Sequence, residues 1–318
     1  MPFASDPAHP DTITQWCELH LGSSPVHSFI ADPPSSQLWG FELADGRVVA
    51  VKVRPASARL DTCVAAQRRA HEAGIACPLP LAGPAPMGPE PLLVTAETWR
   101  SDGAVVPAED PPGSYGRLLA RLVTALSGLD PAPLVPPPPW LRYDHRAAGR
   151  LWAPVAVPGR DPEDVVRVLP PGLVGQARLA RERLLAADLP SVIGHPDLNG
   201  AHVRWLDGPG GAPLPVVHGW DELTARPEAV LVGCLTANYH ELPDEPRLAP
   251  VVQGERVLAA YQAESGRAFS ADDLEVAWAA SLWVAAHNAA MEHVNGAAGQ
   301  VTHQLVLDAP LRLHLAGC

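Results

Sequence analysis

Two stretches of the chain concentrate side chains that move protons or hold ions. VIGHPDLNGAHVRW carries His195, Asp197 and His202, and VVHGWDEL, about a dozen residues later, carries His218 and Asp221. Imidazoles beside carboxylates titrate near neutral pH, so this set suits general acid and base work on a small molecule or peptide. His195 and His218 read more readily as buried, hydrogen-bonded residues that brace their loops. No HxH or HxxxH pairing points to a transition-metal site. Far upstream stands Lys52, the single lysine among 23 basic residues, the rest being arginine. A composition rich in Ala, Pro and Arg lets arginine replace lysine wherever either serves, so the survivor marks a place where a compact ammonium is needed.

The elements that must position these residues follow from hydrophobic period and turn chemistry. Residues 38–54, LWGFELADGRVVAVKVR, predict a β-hairpin turning at Asp45-Gly46, with Lys52 on the second strand and facing opposite to Val51 and Val53. RLDTCVAAQRRAHEAG predicts a helix stopped at Gly74, and PLLVTAETW a further strand. From Ser114 the pattern turns helical, in YGRLLARLVTALSGL and then LVGQARLARERLLAADL. Between them lies a proline-rich excursion, 131–172, too long for a simple connection. Short apolar runs bracket the two polar stretches, and a capping box at Ser270 and Asp273 opens a long C-terminal helix, LEVAWAASLWVAAHNAAMEH. These elements imply an α+β chain with a small β-rich part at 1–100 and a larger helical part at 101–318.

Composition narrows the function classes. The 318 residues carry a net charge of −12 and 47% hydrophobic residues. An acidic surface almost free of lysine offers no polybasic stripe, so neither nucleic acid nor a membrane is expected as a partner. No segment approaches about 18 consecutive apolar residues, and the N-terminal MPFASDPAHPD has acids and prolines where a signal peptide needs an apolar run. Five scattered cysteines without a CxxC pair suit a reducing, cytoplasmic setting. Oligomeric state is left open.

The HPD loop followed by HGW resembles the paired loops of the aminoglycoside phosphotransferase and choline kinase superfamily, in which a His-Gly-Asp-x-x-x-x-Asn loop precedes an Ile-Asp-Trp-type metal loop. The order of a strand lysine, a helix, a hinge, an ArgLeuLeuAlaArgLeu helix and the two loops agrees across roughly residues 25–295. The stretches QRRAHEAGIACPLPLAGP, PPPPW, ARPEAVLVG and AWAASLWVAAHNA resemble a group of actinobacterial phosphotransferase-like proteins. The resemblance implies a two-lobed, protein-kinase-like fold, with a small β-rich N-lobe and a larger helical C-lobe. It also implies that Lys52 is the phosphate lysine, Asp197 the catalytic aspartate and His195 a loop brace. The acceptor pocket of the resembled family would fall in the regions that hold Trp140, Trp152, Trp278 and Trp283, whose aromatic walls suit a cationic or sugar-like ligand, although Trp278 and Trp283, five apart on a helix, read more readily as core packing.

The departures from the family pattern are concentrated at one kind of position. His202 stands where the metal-binding asparagine is expected, and Gly219 where the metal-binding aspartate is expected. Magnesium prefers hard oxygen ligands, so an imidazole is a poor replacement. Asp221 or Glu222 could supply a displaced oxygen, although Asp221 reads more readily as a turn cap. FIADPPSSQL (29–38), where a phosphate-covering loop is expected, has no glycine and two adjacent prolines. Asp61 is the only plausible partner for Lys52 on the following helix.

Three functions are compatible with these residues. The first is a kinase-fold protein that has lost ATP-Mg phosphoryl transfer and works on a small molecule or peptide, such as a natural-product intermediate, by metal-free acid/base chemistry through Asp197, His195, His202 and His218. The second is an active ATP-dependent phosphotransferase of a small hydroxylated molecule, and only under that reading are ATP and magnesium cofactors. The third is a non-catalytic interaction protein.

Overall fold

Alternation of apolar and polar residues in VVAVKVR puts Val49, Val51 and Val53 on one face of a strand and Lys52 and Arg54 on the other. The computed structural model builds its first sheet around that strand, and it describes all residues except 1–9, 33–36, 90, 108, 139–143, 148, 155–160, 242–246 and 298. The chain divides into two units, Met1–Asp102 with Val216–Asp221, and Gly103–Pro215 with Glu222–Cys318.

In the first unit, helix α1 (Pro10–Leu21) precedes strands β1 (Pro25–Asp32), β2 (Gln37–Leu43) and β3 (Val48–Pro55). Helix α2 (Arg59–Glu72) then leads to β4 (Pro80–Pro86) and β5 (Leu92–Thr98). The five strands form one antiparallel sheet in the order β1-β2-β3-β5-β4. The hairpin is the one the sequence predicts, with Leu38 opposite Lys52 and Phe41 opposite Val49. The apolar face packs Val49, Val51, Val53, Val94 and Ala96 with Ile13 and Trp16 of α1 in one buried cluster. β4 carries Pro80, Pro84 and Pro86 and lies at the sheet's edge, where missing N–H donors are tolerated.

The second unit contains α3 (Pro111–Ala125), α4 (Pro171–Ala186), β6 (Ser191–Gly194) and β7 (Val203–Asp207). β8 (Pro213–Val217) pairs with β7 and runs on into the segment that groups with the first unit. There follow β9 (Thr224–Pro227), which pairs antiparallel with β6, then α5 (Glu228–Asn238), α6 (Val251–Ser265), α7 (Ala271–Val294) and α8 (Gln300–Leu315). The capping box at the start of α7 is present. The Asp273 N–H donates to Ser270 Oγ at 3.1 Å, and the Ser270 N–H donates to Asp273 Oδ2 at 3.0 Å. α7 packs against α4, α5 and α8 and is buried from Val276 to Glu292. α5 is buried on every side, and Gly233 lies so close to α7 that a methyl group there would overlap the Ala277 carbonyl oxygen. Among the described residues no helix is long and apolar enough to cross a membrane.

Two outcomes test this packing. Gly233→Ala should lower stability by about 1–3 kcal/mol through overpacking, and an unchanged melting temperature would contradict the close α5–α7 approach. His145, 1% exposed, has its pKa lowered to about 3, first by burial and then by Arg226 and Arg146. An unfolded chain therefore binds a proton that the folded one refuses between about pH 6.5 and 3. Stability should fall with acid by roughly 1.4 kcal/mol per pH unit below about 6.5, and His145→Gln should flatten that slope in melts at pH 5 to 7. An equal slope in the variant would remove His145 as the cause.

Candidate functional site

The loop from β6 to β7 is organised around Asp197. Its backbone N–H donates to His195 Nδ1 at 3.2 Å, which ties the buried imidazole to the loop. Asp197 Oδ1 accepts from Asn199 Nδ2 at 2.8 Å and from Asn238 Nδ2, at the end of α5, at 3.0 Å. Asn199 in turn accepts the Ala201 N–H on its side-chain oxygen at 2.8 Å, and its carbonyl receives the N–H groups of His202 and Val203. One carboxylate oxygen is thus held by two buried amides. The other, Oδ2, lies 3.6 Å from His202 Nε2.

His202 has a second carboxylate neighbour. Glu222, the last residue of a short 3-10 turn, brings Oε2 to 3.3 Å from His202 Nε2. The His195 and His202 rings are 5.3 Å apart. His202 and Glu222 keep about a fifth of their side-chain surface exposed, whereas His195 is 1% exposed. The second unit therefore brings together His195, Asp197, His202 and Glu222, all within Gly103–Pro215 or Glu222–Cys318. Ligand atoms of His195, His202 and Glu222 lie within 4.8 Å of one another, a spacing compatible with one shared ion. The sequence reading named Glu222 only as a displaced oxygen ligand and missed its contact with His202, because the two meet through folding and not through spacing.

The first unit holds a separate set of charges. Lys52 Nζ pairs with Glu97 Oε1 at 2.8 Å, and Gln67 Nε2 occupies the other Glu97 oxygen at 3.0 Å. The expected partner, Asp61, sits exposed in the first turn of α2 and does not take that role. The reason is register. β5 runs antiparallel beside β3, with Ala50 opposite Glu97 and Lys52 opposite Thr95, so Glu97 is the diagonal neighbour of Lys52 on the same face. Burial works against the charge on Lys52, but Glu97 and then Asp221 outweigh it and raise the pKa.

Asp221 also departs from expectation. Its Oδ2 receives Arg54 Nε at 2.9 Å and Nη2 at 2.7 Å, and its carbonyl oxygen receives Arg59 Nη2 at 3.1 Å. Burial pushes its carboxyl up, yet the charges of Arg54 and Lys52 overcome this and hold it well below the usual carboxylate range. A carboxylate so engaged is an ion-pair partner, not an open metal ligand. His218 falls in the same unit and acts on Asp102, whose pKa is lowered first by hydrogen bonds from Arg100 and last by His218. His218 and Asp221 are thus grouped with the first unit, and His195, Asp197, His202 and Glu222 with the second.

The proposed aromatic walls are core. Trp152, Trp278 and Trp283 are 0%, 4% and 1% exposed. Trp283 Nε1 donates to the Leu151 carbonyl at 2.9 Å, and Trp278 packs on Gly254 and under the Arg312 guanidinium. Faces so covered cannot line a ligand pocket. Trp140 lies outside the described residues, as do 33–36 of the segment expected to cover phosphates.

The Arg54–Asp221 pair can be tested by a double-mutant cycle in urea. Asp221→Ala should cost about 3 kcal/mol because it leaves a buried guanidinium uncompensated, and Arg54→Met combined with Asp221→Leu should recover most of the loss. Additive losses would show that the two side chains are not coupled.

Comparison with known proteins accords with this geometry. The profile described as the phosphotransferase enzyme family matches residues 33–213. No curated protein matches the chain in sequence. Among solved structures, the amicoumacin kinase hAmiN in complex with AMP-PNP, Ca2+ and Ami superimposes with a TM-score of 0.62 at 9% identity, covering 96% of this chain and 93% of that one. A microcompartment-associated aminopropanol kinase gives 0.57 at 13% identity, covering 96% of each chain. A thermostable mutant of the aminoglycoside phosphotransferase APH(4)-Ia, in ternary complex with ADP and hygromycin B, gives 0.52 at 12% identity, covering 96% of this chain and 99% of that one. At these identities the likeness is one of fold, and it extends over both units: a kinase-like fold with a five-stranded antiparallel sheet and a larger helical part. The match over more than half of its length shows that the chain belongs to the phosphotransferase enzyme family.

Proposed function

We propose that this chain is a phosphotransferase-family protein that has lost ATP-Mg phosphoryl transfer and works on a small molecule or peptide by acid/base chemistry at His202. The observation that carries the reading is the His202 imidazole, five residues after Asp197, with Nε2 facing Asp197 Oδ2 and Glu222 Oε2.

The magnesium site that the family implies does not fit these residues. Nitrogen at position 202 is a poor ligand for a hard cation. Gly219 has no side chain, and its φ of +68° lies where an L side chain is disfavoured by roughly 1–2 kcal/mol, so the backbone as well as the sequence opposes an aspartate there. Asp221, the oxygen donor two residues on, is engaged by Arg54. No step is therefore routed through magnesium.

The residues present suit proton transfer. Asp197 is fixed through Oδ1 by Asn199 and Asn238, and its Oδ2 lies 3.6 Å from His202 Nε2. An imidazole that accepts a proton from a substrate O–H or N–H becomes a cation, and carboxylates beside it stabilise that cation in the way a triad aspartate does. Partial exposure of His202 and Glu222 gives a substrate access.

A second reading, an ATP-dependent phosphotransferase acting on a small hydroxylated molecule, is favoured by Lys52, kept in an ion pair with Glu97, and by family membership. Calorimetry with ATP, with and without magnesium, separates the two. The first reading expects no magnesium-dependent nucleotide binding. Micromolar, magnesium-dependent binding would sink it in favour of the second.

A further inference from the structure

We infer that His195, His202 and Glu222 bind a single divalent transition-metal ion of the zinc or cobalt class, with Asp197 at the margin of the site. The inference rests on the reading that magnesium-ATP no longer uses this loop, and it concerns the same cluster.

The donor set selects the metal. Two imidazoles and one carboxylate suit borderline ions such as zinc, cobalt or nickel, and magnesium, which takes oxygen donors, is discriminated against. Zinc binds imidazole nitrogen and carboxylate oxygen at about 2.0–2.2 Å, so two of its ligands in a tetrahedron stand about 3.3–3.6 Å apart. His202 Nε2 and Glu222 Oε2 are already at 3.3 Å. The widest separation within the trio is at most 4.8 Å, so closing on an ion needs a side-chain adjustment of about 1.5 Å at most. Asp197 Oδ2, 3.6 Å from His202 Nε2, stands near enough to serve as a fourth ligand or to accept a proton from a metal-bound water.

The surroundings favour loading. His202 and Glu222 are each about one-fifth exposed, which leaves an entry path, while His195 is buried. Ligation through His195 Nε2 places the ring proton on Nδ1 and gives up the bond from the Asp197 N–H. That bond, at 3.2 Å, is at the long end of the usual range, and one such bond is a small loss beside a metal–imidazole bond. No HxH or HxxxH pairing reveals the site, because His195 and His202 stand at the two ends of the β6–β7 loop and Glu222 comes from the turn after β8.

The test uses the full chain, stripped with a chelator and free of nucleotide, titrated with zinc chloride by calorimetry and with cobalt chloride by visible absorption. One ion per chain is expected, with a cobalt spectrum of nitrogen and oxygen ligation and no displacement by an equal concentration of magnesium. His202→Gln and Glu222→Gln should each weaken zinc binding by about 100-fold or more. Both residues are partly exposed, and far-UV circular dichroism checks that the variants fold. Cys318→Ser and His303→Ala, at exposed positions away from the loop, should leave it unchanged. Absence of zinc binding to the wild-type chain overturns the inference, as does binding that survives His202→Gln or that is lost in Cys318→Ser. Since no nucleotide is present, failure here is distinct from failure of the acid/base reading, which the ATP titration decides.

Discussion

Two cations side by side on one face of β3 set the terms for the first unit. Lys52 and Arg54 are two residues apart, both largely withdrawn from water, and each buried charge has to be matched close by or the strand loses its place in the sheet. Glu97 answers Lys52 across the β3–β5 ladder, and Asp221 answers Arg54 from a segment more than 160 residues further along the chain. The remaining bonds follow from these two pairs. Gln67 of α2 takes the second oxygen of Glu97 and also the Pro78 carbonyl, and Arg59 takes the Asp221 backbone. The same neutralisation that lets β3 carry charge also commits Asp221, and so removes the acid best placed in the sequence to replace a missing metal ligand.

A parallel rule governs the loop in the second unit. A carboxylate that is only partly exposed needs donors, and Asp197 receives them from Asn199 and Asn238 on one oxygen. Asn238 reaches the loop because α5 is buried along its whole length beside β6. With one oxygen held, the other lies near His202, and the 3-10 turn after Gly219 brings Glu222 to the same ring nitrogen. The result is a cluster whose chemistry differs from that expected of a loop with asparagine at position 202.

Legibility in the sequence tracked how local the cause was. The β2–β3 hairpin, α2, β5, α3, α4 and the capped start of α7 follow from period, turn residues and caps within each segment, and they stand in the structure. α5 is missed by the same logic because all 11 of its residues are buried, which erases the apolar-polar period. β4 is missed because three prolines argue against a strand until its place at the sheet edge is known. The tryptophans left two readings open: an aromatic residue in a pocket-forming region reads the same as one filling the core, and only burial separates them.

Sequence by itself determined the family, the α+β class and the absence of oxygen ligands at positions 202 and 219, since these depend on residue identity and order. Which acid meets which base was decided by tertiary structure alone. Asp61 and Glu97 are both acids that could face Lys52, and the strand register selects Glu97. Asp221 and Glu222 are adjacent in the chain, yet one pairs with Arg54 and the other with His202. Electrostatic partnership falls off over a few ångströms, and no spacing rule reports distances that are created only when remote segments pack.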